Sequence, residues 1–158
     1  MLTGDIQLTS QDIDILVNGA LEARNNSYSP YSKFRVGACL MTCGKKVYSG
    51  CNVENASYGG TICAERTAFV KAVVSSLLIF VFESFVERRR QVFLAIAVAT
   101  DDDCFASPCG MCRQFMNEFS PSLPVYLVNL NGNYQITNLE ELLPQAFGPK
   151  NLASRINS

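Results

Sequence analysis

The sequence predicts an α/β fold, a three-layer α/β/α sandwich around a mixed five-stranded sheet. Helix-like and strand-like segments alternate along it, and the short unbroken apolar run Val92 to Thr100 has the makeup of a buried central strand. No repeat, low-complexity tract or linker divides the chain. Its 158 residues therefore suit one domain, residues 1–158, long enough to remove about two thirds of the unfolded surface from water.

The elements follow in order. Thr9-Ser10-Gln11-Asp12 has the form of a capping box opening a helix through Glu22, with Ile13, Leu16, Val17, Ala20 and Leu21 on one apolar face. Asn25 to Ser32 is a polar, proline-containing loop. Val36–Thr42 and Lys46–Val53 read as strands of a hairpin joined at Cys43-Gly44-Lys45. Gly59-Gly60 breaks the pattern, and Cys63–Val74 is helical. After the Val92–Thr100 strand comes a loop to Pro108, then a helix over Gly110–Phe119. Val125–Val128 is a buried strand, Asn131-Gly132 turns into a strand over Tyr134–Thr137, and Asn138–Leu143 is a short helix stopped by Pro144.

Composition removes several function classes. Apolar residues make up 48% and charged residues 17%, which argues against a disordered chain. Thirteen basic against fourteen acidic residues leave a net charge of −1, which gives no electrostatic case for holding a polyanion. The chain has no histidine, so no mechanism can use an imidazole base or ligand. Seven cysteines cannot all pair within one chain, and Met1 to Ser10 lacks the apolar core of a signal peptide. The expected setting is the cytoplasm, with reduced thiols, and no apolar run reaches the length of a membrane span.

Two clusters carry chemistry: Cys63-Ala64-Glu65, and Pro108-Cys109-Gly110-Met111-Cys112. Both fall at expected helix starts, where free backbone N–H groups favour thiolate. Cys109 and Cys112, three apart on a first turn, share a face. A third thiolate from Cys63 would give zinc three protein ligands and an open position, the arrangement of a catalytic site. Glu65, two residues from Cys63, points elsewhere and can stand beside that open position as a proton shuttle for a water activated near neutral pH. Arg66 can offset the excess negative charge of three thiolates on one dication. Taken alone, the Cys-x-x-Cys pair is equally compatible with redox chemistry or simple burial. Cys39, Cys43, Cys51 and Cys104 read as packing or surface thiols. By themselves Phe34 and Phe147 would be core aromatics, Glu54 a solvated carboxylate and Asn52 a turn residue.

In these two clusters the sequence resembles the zinc-dependent nucleobase deaminase signature, with cysteine in the place histidine can take. Tyr31-Ser32-Lys33-Phe34-Arg35-Val36-Gly37-Ala38, Asn52-Val53-Glu54-Asn55-Ala56, Cys63-Ala64-Glu65-Arg66-Thr67-Ala68 and Ser107-Pro108-Cys109-Gly110-Met111-Cys112-Arg113-Gln114 are together similar to the small cytidine deaminases. The resemblance spans residues 10–72 and 92–152. It implies one zinc ion per subunit on Cys63, Cys109 and Cys112, with Glu65 moving protons to N3 of the base and then to the leaving amine. It implies ribose contacts from Asn52 and Glu54, and a substrate-lining stretch through Val53, Asn55, Ala56, Ser57 and Tyr58. Phe34 would stack near the pyrimidine, and the Ala64 backbone N–H would meet the base carbonyl. Phe147 would close the site of a neighbouring subunit in a homotetramer.

The implied function is hydrolytic deamination of the free nucleosides cytidine and deoxycytidine in pyrimidine salvage, with neither nucleic acid nor membrane as partner. A zinc deaminase of another nucleoside-like substrate and a catalytically impaired zinc-binding scaffold stand as alternatives. The pattern breaks between Ala72 and Val92, where a strongly apolar stretch ending in Arg88-Arg89-Arg90 runs about a dozen residues longer than a short connecting turn. This insert, at about residues 74–90, is expected to be an addition without catalytic purpose.

Overall fold

The computed structural model describes residues 7–79, 93–149 and 151–152. Helix α1 (Ser10–Arg24) opens on the expected capping box. The Thr9 hydroxyl accepts from the Asp12 amide at 3.2 Å, and the Asp12 carboxylate accepts from the Thr9 amide at 2.7 Å. Strands β1 (Val36–Thr42) and β2 (Val47–Cys51) form the hairpin. After the single 3₁₀ turn Tyr58–Gly60 come helix α2 (Ala64–Ile79), strand β3 (Phe93–Thr100) and helix α3 (Gly110–Asn117). Strands β4 (Pro124–Val128) and β5 (Tyr134–Asn138) and the short helix α4 (Leu139–Leu142) complete the described elements.

The five strands form one sheet in the order β2-β1-β3-β4-β5. All neighbours are antiparallel except β3 and β4, which are parallel and joined through α3, so the sheet is mixed as expected. Alternation along the strands builds two cores. Ala38, Leu40, Ile96, Val98, Val125 and Leu127 face Phe69 of α2 and Met116 of α3. Cys39, Met41, Ala95, Ala97, Ala99, Tyr126 and Val128 face Leu16, Val17 and Ala20 of α1. One helix on one face and the others on the opposite face make the three layers.

Two glycines let helices approach the hairpin closely. A Cβ on Gly37 would lie 2.2 Å from the Ala20 carbonyl oxygen of α1. One on Gly50 would lie 2.5 Å from the Ala68 nitrogen and 2.6 Å from the Ala64 oxygen of α2. Gly50 thus sets how deeply the first turns of α2 sit against the sheet.

Several bounds differ from those read off the sequence. Strand β2 ends at Cys51 instead of Val53, because the Asn52 side chain takes over backbone groups of the neighbouring loop and Val53 makes only isolated bridges to Tyr28 and Ile62. Helix α2 runs to Ile79, five residues past Val74; the sequence over these residues carries no glycine or proline to stop it. Helix α3 closes at Asn117, since the Phe119 and Ser120 amides turn back onto the Met116 carbonyl. The part of the insert from residue 80 onward and the first residue expected for the β3 strand, Val92, lie outside the described residues.

Candidate metal and active site

The site forms where the starts of α2 and α3 meet. Cys63 directly precedes α2, its carbonyl accepting the Thr67 amide at 3.1 Å. Cys109 is the N-cap of α3 in extended conformation and makes no side-chain capping hydrogen bond. Cys112 lies one turn further in and is fully buried, whereas Cys109 is exposed. The three Sγ atoms lie within 4.8 Å of one another, and those of Cys63 and Cys109 are 3.8 Å apart. Tetrahedral thiolates around zinc, at bond lengths of about 2.3 Å, stand about 3.8 Å apart. The donor set therefore fits a zinc ion, and the exposed Cys109 leaves the triad open toward the surface.

The charges around the triad support the same reading. One Arg66 Nη2 donates to the Thr61 carbonyl at 3.0 Å and lies 3.6 Å from Cys63 Sγ. Its Nε is buried with no hydrogen-bond partner among the described residues, so cationic density is held against the sulfurs. Hydrogen bonding from Cys112, then from Arg66 and Cys109, holds the Cys63 thiol well below its ordinary range. The same Cys63 contact, with burial and the Glu65 charge, pushes the inner thiol of Cys112 well up. Glu65 points into the protein and is 4% exposed. Burial, reinforced by the charge of Cys63, raises its carboxyl to about 7.

A second group of residues lies on the path from β2 to α2. The Asn52 amide nitrogen donates to the Phe34 carbonyl at 2.9 Å, and its Oδ1 accepts from the Val36 amide at 2.9 Å and the Ser27 hydroxyl at 2.5 Å. Glu54 Oε2 accepts from the Tyr31 and Ser32 amides at 2.9 and 3.2 Å, and its Oε1 accepts the Ser32 hydroxyl. These donors, the Ser32 hydroxyl first, hold the Glu54 carboxyl below its ordinary value. Val53 exchanges backbone hydrogen bonds of 2.9 and 3.0 Å with Ile62, next to Cys63. The Asn52–Glu54 segment is thus tied to the Tyr31–Phe34 loop on one side and to the thiol cluster on the other.

The remaining candidates are more dispersed. The Asn55 Oδ1 accepts the Ser57 amide at 2.8 Å, and Ala56, Ser57 and Tyr58 are exposed. Tyr58, 74% exposed, has its ring 5.8 Å from that of Tyr31. Ala64 is fully buried at the first position of α2. Phe34 is exposed, and Phe147 is 58% exposed. The Phe147 carbonyl is held by Gln114 Nε2 and Asn117 Nδ2 of α3, at 2.8 and 3.2 Å. The sequence reading gave no role to Ser27 or Ser32. Their signal is a hydroxyl within reach of two chemistry-bearing residues, which only the folded loop reveals.

Residues 10–128, which include all three thiols and Glu65, match the sequence family described as the cytidine and deoxycytidylate deaminase zinc-binding region. The chain belongs to that family. As a member of these deaminases it is 46% identical over 137 residues to a cytidine deaminase of Halalkalibacterium halodurans, a match covering 86% of this chain and 94% of that protein. It is 43% identical over 143 residues to a cytidine deaminase of Sporosarcina psychrophila, covering 90% and 96%. The crystal structure of a cytidine deaminase from Burkholderia pseudomallei superposes with a TM-score of 0.72 at 43% identity, covering 89% of this chain and all of that one. The zinc-binding character of the matched region and the geometry of the thiols agree on one zinc per chain at Cys63, Cys109 and Cys112. No described helix is long and apolar enough to cross a membrane.

Proposed function

We propose that this deaminase converts cytidine and deoxycytidine to uridine and deoxyuridine, taking up water and releasing ammonia. The observation that carries the proposal is a buried carboxyl, Glu65, two residues from Cys63 where three thiols converge at two helix starts. Cys63, Cys109 and Cys112 would hold the zinc ion, which would supply Lewis-acid activation of water at neutral pH. Glu65 takes a proton from the attacking water and passes it to N3, so the ring does not become an anion as water adds at C4. The carboxylate then takes the proton of the new C4 hydroxyl and gives it to the amine, so the C–N bond breaks as the C4 carbonyl forms and ammonia leaves, far more readily than an amide anion would. A carboxyl poised near neutrality serves both as base and as acid. Arg66 offsets the single negative charge left when three thiolates hold one dication.

The Ala64 amide meets the base carbonyl and Phe34 stacks on the pyrimidine. Asn52 and Glu54 take the ribose hydroxyls, within a lining that runs through Val53, Asn55, Ala56, Ser57 and Tyr58. Phe147 belongs to the site of a neighbouring subunit in a homotetramer. The chain forms a single domain, its insert at about residues 74–90 contains none of the assigned residues, and the protein works in the cytoplasm in pyrimidine salvage. Following cytidine absorbance with the purified protein and its Glu65→Ala variant, with metal analysis of both, tests the core of this reading. Turnover in the parent and a zinc-bearing but inactive variant support it. Zinc without turnover in the parent points to another nucleoside-like substrate or an impaired scaffold, and absence of zinc from both overturns the thiol site.

A further inference from the structure

Arg113 follows Cys112 on the first turn of α3, and its guanidinium folds back over the start of its own helix. Nε donates to the Pro108 carbonyl at 2.6 Å and Nη2 to the Ser107 hydroxyl at 2.8 Å. Nη1 reaches the Leu142 carbonyl at the end of α4, at 2.9 Å. One planar group thus joins three points: the two residues entering the ligand turn, its own helix, and an element near the other end of the chain. Pro108 is fully buried and has no N–H, so its carbonyl is the handle by which the entry to Cys109 can be fixed. Leu142 lies in the last turn of α4, where a carbonyl has no partner within its helix.

The Cys109 thiol makes no capping hydrogen bond at the start of α3. Its side chain is left free for a ligand, and the entry angle of the chain must be set by something else. We propose that Arg113 is a positioning residue for the metal turn. By clamping Ser107 and Pro108 against α4, it fixes Cys109 Sγ relative to Cys112 and Cys63 before any metal arrives. The inference rests on the reading of those three thiols as the zinc site. A guanidinium suits the task because its donors leave in fixed directions within one plane and reach three acceptors at once. An ammonium is a point donor on a flexible stem and cannot span the same three. Groups that orient metal ligands from outside the coordination shell typically change metal affinity about 10- to 100-fold when removed.

The test measures zinc affinity by competition with a chromophoric chelator, and the visible spectrum of the cobalt-loaded protein, for the parent, Arg113→Lys, Arg113→Ala and Ser107→Ala. Lys45→Met, which breaks the ion pair with Asp12 at 2.6 Å near the start of α1, serves as the control for general loss of stability. The expected result is zinc affinity about 10- to 100-fold weaker in Arg113→Ala, smaller losses in Arg113→Lys and Ser107→Ala, and an altered cobalt–thiolate spectrum in the arginine variants. Lys45→Met should lower the thermal midpoint while keeping the parent affinity and spectrum. Parent affinity and spectrum in Arg113→Ala overturn the proposal, as does an equal loss of affinity in Lys45→Met. Should Arg113→Ala fail to fold, parent behaviour in both Arg113→Lys and Ser107→Ala overturns it equally. A parent that takes up no zinc brings down the metal reading itself.

Discussion

Helices α1 and α3 begin in opposite ways. At the start of α1, Thr9 and Asp12 satisfy each other's amides, and Lys45 closes on the same carboxylate. At the start of α3, the N-cap position is held by Cys109, whose side chain caps nothing. Forgoing a side-chain cap typically costs about 1 kcal/mol, and α3 leaves its first amides facing thiols that are most useful as anions. The layer holding α1 is built for stability, with alanines at Ala95, Ala97 and Ala99 letting the helix lie close to the sheet. The opposite layer carries the burden of the site: a carboxyl buried beside sulfur and an arginine whose Nε is unpaired among the described residues. The same sheet supports both, so the rigidity of one face is available to the other.

The largest effect that separates the two faces is chemical. Glu65→Gln keeps the shape and burial of the side chain and removes the proton carrier. Turnover should fall by about 10²- to 10⁴-fold, the usual contribution of a positioned acid–base group, with zinc content at the parent level. Rate assays beside metal analysis check this; a Glu65→Gln protein with parent turnover would assign the proton transfers elsewhere. Gly37→Ala and Gly50→Ala then compare the faces directly. Each adds a Cβ closer than 3 Å to helix backbone and should destabilise by about 1–3 kcal/mol in urea unfolding. Only Gly50→Ala presses on the first turns of α2, so it alone should also weaken zinc binding. Equal weakening in both would show that the site senses overall stability and not the seat of α2.

The sequence made much of this legible because local signals and tertiary environment agree. The Thr9–Asp12 box, the alternation in β1 and the apolar run of β3 each specify one solution. Signals faded where a segment lacks a glycine or proline stop, as at the end of α2, and where a side chain replaces backbone pairing, as Asn52 does beyond β2. In the site, spacing and position at helix starts pointed to Cys63, Cys109, Cys112 and Glu65, and the family resemblance added the substrate contacts. The work of Ser32 and Arg113 was not legible, because it consists of bonds to partners such as Glu54 and Leu142, 22 and 29 residues away. No periodicity encodes such contacts. They exist only after the fold has brought the segments together.

Smaller effects should be confined to the α1 face. Thr9→Ala removes the hydroxyl that caps the helix and should cost about 0.5–2 kcal/mol, read as a lower urea midpoint with zinc affinity at the parent value. A loss of zinc affinity in this variant would show that the faces are not separable. The smallest effect is a pH dependence. The Asp12 carboxyl is held at about 2, chiefly by its hydrogen bond from Lys45 and then by those from Thr9, below its ordinary value near 3.9 in an unfolded chain. Its contribution is therefore complete above about pH 5 and is lost as pH falls through about 4 toward 2, because the unfolded state binds the proton first. In Lys45→Met that carboxyl loses its main partner, so the stability difference between parent and variant should shrink across this interval. Urea midpoints of both proteins, taken from pH 6 down to pH 3 and subtracted at each pH, isolate this pair from every other carboxylate and from protonation of the thiols. A difference that stays constant over the interval would mean that the Lys45 contact does not hold the Asp12 proton off, and that the capping box alone closes α1.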